Sequence, residues 1–410
     1  MSILKLNNSI LENYFINFKK ESGSHSEKLK QDWHNFYNKS FFSPRNHKTR
    51  DLLKQVSGFL PIPESYIADN VMVFGSLDKG IEDLILRAFI IADQSAFDFV
   101  KNHYGFSTIS LNLNYIDEIN SGNVLNSVME KFKKSDYEYI LAIGGGRTLD
   151  YAKFVSLKTD SKLLAIPSSL ATHVYASTKI HALPPIKELG HNKTIDGDSA
   201  HLTLIDLKLL DKLYSSNKRL VFSGFGDIMA FINAKYDWKA SSDLSIERYS
   251  EFVDKGIEYI INKLRTIDLN NPIHEWLEEY VFIQCLLCNI TDWVGSAPAS
   301  GAEHLFAKCI EEEVEDVPLH GEVVALGVLI FCFIRNKDLE LVVHLLNKFN
   351  LSTNLKVLGL TKEAVVNGLS NSLAEGQRKN RYTLLNNIDT SKKYFKSLVN
   401  KMISQQLISE

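Results

Sequence analysis

Tyr139-Ile140-Leu141-Ala142-Ile143-Gly144-Gly145-Gly146-Arg147-Thr148-Leu149-Asp150-Tyr151-Ala152-Lys153 is the stretch that decides the fold of this chain. An apolar run of strand character ends in three glycines, and a helical pattern begins directly after them near Thr148. Glycines let the backbone come close to an anion, while the unpaired N–H groups and the dipole of the following helix favour phosphate. The segment reads either as a cradle for a pyrophosphate or as a strand-to-helix turn whose glycines serve packing alone. Its spacing is not G-x-G-x-x-G, so the usual dinucleotide fingerprint does not support the first reading.

The same rhythm continues on both sides. From Val71 strands and helices alternate: Arg87 to Asp93 reads as a strand, Ser107 to Leu113 as another, Asn123 to Lys133 as a helix, Tyr139 to Ile143 as a strand, Asp150 to Leu157 as a helix and Leu163 to Ile166 as a strand. Such alternation predicts a parallel sheet that binds nucleotides at its carboxyl edge. Asp93 ends its strand, where a carboxylate either accepts hydrogen bonds from a ribose or merely caps a turn. From about Leu207 the apolar spacing turns helical, as in Leu209 to Leu213, Glu275 to Asn289, Gly321 to Ile334 and Leu339 to Phe349. The expected architecture is a Rossmann-like α/β nucleotide-binding domain over residues 61–206, followed by an all-α metal- and substrate-binding domain over 207–410. Residues 1–60 are polar and aromatic and too short for a robust core, so they are expected to pack as an N-terminal extension, with helices over Glu27 to Phe36 and Asp51 to Val56.

The helical half carries three residues of metal-ligand type: Asp227 in S-G-F-G-D, His304 in P-A-S-G-A-E-H and His320 in L-H-G-E. An aspartate and two imidazoles offer one divalent ion hard and borderline donors and leave positions open for a substrate oxygen. The sequence holds 12 histidines, most of which should be ordinary surface or capping residues. Each of these three candidates, however, sits in a small-residue approach to an apolar helix, where a polar side chain can face a cleft. His304 and His320 are too far apart for one helical turn, so separate helices must converge on the ion.

A length of 410 residues with 45% hydrophobic content suits an enzyme of two domains, and a net charge of −3 gives no case for nucleic acid or an anionic membrane surface as partner. No apolar run reaches transmembrane length, and the start lacks a signal-peptide core, so a cytoplasmic protein is expected. Cys285 and Cys288 form a C-x-x-C in apolar, helical surroundings with no second pair to complete a zinc site. They are read as core, and Cys309 and Cys332 suggest no disulfide.

Taken together, G-G-G-R-T-L-D-Y-A-K from Gly144, the G-F-G-D-I block running to Y-D-W at Trp238, P-A-S-G-A-E-H-L, L-H-G-E-V-V-A-L-G and R-Y-T-L-L from Arg381 resemble the glycerol-1-phosphate dehydrogenase branch of the superfamily that also holds dehydroquinate synthases and iron-containing alcohol dehydrogenases. The resemblance runs from about Pro61 to the C-terminus. Asp227 favours this branch, since dehydroquinate synthases place a glutamate there. It implies a dehydroquinate synthase-like fold, a homo-oligomer with a dimer favoured, and reduction of a small phosphorylated or otherwise anionic ketone or aldehyde. The cofactors it implies are NAD or NADP and one divalent metal, zinc before iron, nickel or manganese. Asp227, His304 and His320 would hold the metal, with Glu303 orienting its neighbour. Asp93, Gly144, Gly145, Gly146, Thr148, Asp150, Ser168 and Ser177 would bind the cofactor. Ser168 keeps the hydroxyl of a family threonine, whereas Ala171 loses that of a family serine. His173 stands where the family has a substrate-contacting aspartate, and Lys308 where it has a substrate-contacting histidine. Both are taken as catalytic positions, and both changes shift the pocket toward positive charge, which implies a more anionic or differently shaped substrate. Two other readings remain open: a dehydroquinate synthase-like lyase or cyclase that uses NAD catalytically, and a non-catalytic binding relative.

Overall fold

The computed structural model of the protein describes residues 71–75, 88–104, 113–115, 122–137, 139–181, 194–197, 199–200, 202–242, 245–271, 273–314, 316 and 318–410. The N-terminal extension with its two expected helices, Arg87, and residues 107–112 of an expected strand lie outside the described residues. The chain forms two compact units, one of Met1–Asn217 with Asp268–Asn289 and one of Lys218–Ile267 with Ile290–Glu410.

The first unit is built on a sheet of six parallel strands in the order β1-β8-β5-β4-β2-β3. They are β1 (Val71–Gly75), β2 (Ala88–Ala92), β3 (Leu113–Tyr115), β4 (Tyr139–Gly144), β5 (Lys162–Pro167) and β8 (Leu202–Asp206). A separate antiparallel pair, β6 (Lys179–His181) and β7 (Thr194–Asp196), matches Ile180 with Ile195. Every residue of β2 and β4 is buried. Unbroken apolar strands of this kind belong to a parallel sheet covered on both faces, which is why period-2 alternation is missing from their sequences. Helices α1 (Gln94–Tyr104), α2 (Gly122–Lys133) and α3 (Gly146–Thr159) connect the successive strands from β2 to β5, and α4 (Leu207–Ser216) follows β8.

The chain order places the ligand edge of this sheet. After β2 the chain moves outward to β3, then returns past β2 to lay down β4, so strand order reverses between β2 and β4. Ligands of open parallel sheets bind beyond the carboxyl ends of the strands at such a reversal. Asp93 follows directly on the end of β2, Gly144 closes β4 with Gly145 and Gly146 next in the chain, and Ala92 is in register with Ile143.

The second unit is helical: α5 (Lys218–Ile228), α6 (Ala230–Ala240), α7 (Ser245–Thr266), α9 (Ala302–Glu313), α10 (His320–Arg335), α11 (Leu339–Lys348), α12 (Lys362–Arg378) and α13 (Lys392–Ser404). Helix α8 (Ile273–Val294) contributes residues up to Asn289 to the first unit. There Tyr280 and Gln284 both donate to the carbonyl of Leu170, at 2.7 and 3.1 Å. Helix α10 is the core of the second unit, with Gly321 through Cys332 all buried. A helix that is apolar all round needs neighbours on every side. It ends at Asn336, whose left-handed backbone (φ 53°) closes the last turn.

Candidate functional site

Three helices of the second unit bring Asp227, His304 and His320 together. Their ligand atoms all lie within 4.8 Å of one another. Asp227 Oδ1 is 3.2 Å from His304 Nε2 and 3.7 Å from His320 Nε2. Donors bound tetrahedrally to an ion at about 2.1 Å would lie about 3.4 Å apart, so the two distances bracket what one small divalent ion needs.

The convergence depends on two glycines. A Cβ on Gly321 would lie 1.8 Å from the carbonyl oxygen of Ser223, and one on Gly226 would lie 2.2 Å from that of Gly321. Helices α5 and α10 therefore touch backbone to backbone, which carries Asp227, at the end of α5, onto His320, at the start of α10. A similar contact holds α9 against α10, where a Cβ on Gly327 would meet the backbone of Glu303 at 3.0 Å. The start of α10 is fixed by Glu322, which accepts the Leu319 N–H at 3.2 Å and is itself held by a bidentate pair with Arg219 at 2.6 and 2.8 Å.

Each imidazole is held from behind by a carboxylate. His304 Nδ1 lies 3.1 Å from Glu303 Oε1, and His320 Nδ1 lies 2.5 Å from Glu311 Oε1. A carboxylate on Nδ1 fixes the ring and its proton and turns Nε2 toward the ion. Burial disfavours a charged His304, but its hydrogen bonds to Asp227 and Glu303 outweigh that and push its pKa up to about 9. Burial also opposes ionisation of Glu303 and Glu311, yet their histidine partners hold both below the usual carboxylate range. The donor chemistry, the spacing and the backing carboxylates fit a divalent metal. Lys308 is one turn beyond His304 on α9, with its ammonium 3.6 Å from Glu312.

The glycine turn of the first unit is a different kind of site. Gly144 closes β4, and Gly145 precedes the first turn of α3 with an extended backbone (φ −84°, ψ −168°) that any residue can adopt. The three glycines differ in what surrounds them. A Cβ on Gly144 would collide with Thr148 at 2.4 Å, and one on Gly146 would lie 2.8 Å from Thr172 Oγ1. A Cβ on Gly145 would meet only Ser169 Cβ, at 3.9 Å. The open side of the turn is thus at Gly145, beside the N–H groups that begin α3.

The other residues expected at the cofactor fall into two groups. Asp93 and Ser168 lie at the strand ends: Asp93 accepts the Ala96 N–H at 3.0 Å and so caps α1, and Ser168 N–H donates to Gly144 at 3.0 Å. Thr148, Asp150 and Ser177 are buried. Thr148 fills the space beside Gly144, Asp150 pairs with Lys153 at 3.1 Å, and Ser177 Oγ accepts the Lys179 N–H at 3.0 Å. Thr148 thus packs directly against the turn. Lys153 also donates to the carbonyls of Val174, Ser177 and Lys179, at 3.2, 3.2 and 2.6 Å, and so fixes the segment that carries His173. The carbonyl of His173 accepts from the thiol of Cys288 at 3.5 Å. Cys288, Cys309 and Cys332 are buried thiols outside any disulfide.

Sequence reasoning missed Glu311. It sits in the acidic run Glu311-Glu312-Glu313, which looks like a solvated face, and only the fold shows that it points at His320.

Residues 82–205 match the family model described as "Iron-containing alcohol dehydrogenase". The glycerol-1-phosphate dehydrogenase [NAD(P)+] of Archaeoglobus fulgidus is 28% identical over 356 residues, covering 82% of this chain and 95% of the relative. That of Sulfolobus acidocaldarius is 30% identical over 257 residues, covering 60% of this chain and 68% of the relative. Among solved structures, a probable glycerol dehydrogenase from Sinorhizobium meliloti 1021 superposes with a TM-score of 0.59 at 16% identity, over 82% of this chain and 96% of that one, which shows a common fold. With these motifs in order along the sequence and this identity to its relatives, the chain belongs to the glycerol-1-phosphate dehydrogenase family, a branch of the iron-containing alcohol dehydrogenase superfamily.

Proposed function

We propose that the protein is a metal-dependent, NAD(P)-linked oxidoreductase that reduces the carbonyl of a small phosphorylated or otherwise anionic ketone or aldehyde. The observation that carries this reading is the convergence of Asp227, His304 and His320, with Glu303 and Glu311 behind the two imidazoles. When bound, a divalent ion supplies Lewis-acid polarisation of a carbonyl oxygen, and a reduced nicotinamide supplies hydride. Zinc suits a set of one carboxylate and two imidazoles with open positions.

The residues of the chain do the rest. Asp227, His304 and His320 hold the ion. The backbone of Gly144, Gly145 and Gly146 meets the pyrophosphate, Asp93 accepts from a ribose hydroxyl, and Ser168 offers a further hydroxyl. Thr148, Asp150 and Ser177 complete the set of cofactor-binding residues. His173 donates a hydrogen bond or a proton to a substrate oxygen, and Lys308 pairs with a phosphate or carboxylate. The same reading makes the enzyme a cytoplasmic homo-oligomer, most simply a dimer. Among the described residues, no helix is long and apolar enough to cross a membrane.

Oxidising the secondary alcohol of glycerol 1-phosphate gives dihydroxyacetone phosphate, so this ketone is the reference substrate. NADH and NADPH oxidation should be followed with it and with phosphorylated ketones and aldehydes that carry an extra anionic group. With His173 and Lys308 in place of the family's aspartate and histidine, kcat/KM is expected to favour the more anionic carbonyl. The His173→Asp, Lys308→His variant should gain on dihydroxyacetone phosphate about tenfold, or about 1.4 kcal/mol in the transition state. High wild-type activity on dihydroxyacetone phosphate that falls on reversion would overturn the altered specificity.

A further inference from the structure

Behind His304 runs a buried chain of polar groups that starts one helix away. Glu303 and Asn233 are fully buried and Asp237 is 2% exposed. Glu303 Oε1 accepts from the Gly301 N–H and from His304 Nδ1, while Oε2 accepts from Asn233 Nδ2. Asn233 Oδ1 in turn accepts from Arg335 Nε at 2.9 Å. Arg335 Nη2 pairs with Asp237, which also accepts the N–H groups of Ala302, at 2.9 Å, and Leu384, at 2.7 Å.

Donor and acceptor chemistry gives this chain one direction. A guanidinium only donates, so Asn233 must turn Oδ1 toward Arg335 and its amide nitrogen toward Glu303. Glu303 then faces the amide of Asn233 and the N–H of Gly301, both donors, and acts as an acceptor. Glu303, held as an acceptor from two sides, draws the proton of the neutral His304 ring to Nδ1 in competition with Asp227 Oδ1, 3.2 Å from Nε2, and so leaves Nε2 as the lone-pair donor. Were Asn233 reversed, its Oδ1 would oppose the Glu303 carboxylate in a buried site, and the proton would have to move to relieve them.

We propose that Arg335 and Asn233, both outside the cluster of Asp227, His304 and His320, are positioning residues that fix His304 as the Nδ1–H tautomer and so present Nε2 to a metal. This rests on the metal reading of Asp227, His304 and His320 only in assigning a use to that nitrogen. The test is nitrogen NMR of histidine-labelled protein, with His304→Gln to assign the ring, both zinc-loaded and metal-free at alkaline pH. Zinc affinity is measured alongside by chelator competition. Wild type should show a single Nδ1–H tautomer; an Nε2–H ring in metal-free wild type overturns the proposal without any variant. Asn233→Leu should mix the tautomers and weaken zinc binding about 10–100-fold. Arg335→Lys keeps the charge beside Asp237 but cannot make both fixed bonds, so it should lose the single tautomer while keeping its far-ultraviolet spectrum. A folded Asn233→Leu or Arg335→Lys with wild-type tautomer and affinity would reduce the network to packing, and overturn the proposal. A wild type that binds no zinc would instead sink the metal reading, while its metal-free tautomer still decides this one.

Discussion

The metal cluster and the glycine turn are opposite ways of building a site. In the cluster, function sits on side chains, and each is held by another: Glu303 behind His304, Glu311 behind His320. At the turn, the proposed function sits on the backbone, and what matters is which side chains are missing. The first kind can be recognised by what is present. The second becomes legible only when the space around each glycine is known, because Gly144 and Gly145 are identical letters with different surroundings.

The cluster should break completely when its donors go. Removing two of three ligands in Asp227→Ala with His304→Ala should abolish both metal binding and turnover. Elemental analysis should give about one ion per wild-type chain and none in the variant; full metal content in the variant would sink the assignment. Gly321→Ala attacks the same cluster through the backbone. Its methyl has no room against Ser223, so overpacking should cost about 1–3 kcal/mol or more and lower metal content at the same time. Thermal unfolding with metal analysis would show it, and unchanged stability would mean that the close crossing of α5 and α10 is wrong.

A milder cut tests the backing carboxylates. Glu311→Gln keeps an acceptor for His320 Nδ1 but loses the charge, and zinc affinity should fall about tenfold, the lower end of such effects. Chelator competition measures this, and no change would leave Glu311 a surface residue. The turn yields the finest contrast. Gly144→Ala, which collides with Thr148, should lower stability, whereas Gly145→Val should leave the unfolding midpoint near wild type and abolish NADH binding in calorimetry. Equal cofactor affinity in Gly145→Val and wild type would take the pyrophosphate away from this turn.

Much of this was readable in the sequence. The strand over Tyr139–Gly144, the glycines and the following helix appear as the pattern requires, because an apolar run, a glycine break and a helical period are all local signals. Asp227, His304 and His320 were readable because each stands in a small-residue motif that permits close helix crossing. The strand Leu202–Asp206 was not distinguished from its surroundings, since five residues between a loop and a helix carry little periodicity. Arg335 ends an apolar helix, where a cation is expected to face water or the helix dipole. That it instead turns inward to Asn233, 102 positions earlier in the chain, is a matter of tertiary placement. The pairing of Asp150 with Lys153 is local, but only the fold shows that both are buried.

The contact between Gly226 and Gly321 limits how this enzyme can change. Most distances in a protein are set by side chains, and substitution can lengthen or shorten them by degrees. Where two helices already meet at their main chains, the separation is set by atoms common to every amino acid, and no substitution at the crossing can shorten it. Selection for another ion must then act on which donors stand at 227, 304 and 320, since the distance between their helices is not available for adjustment.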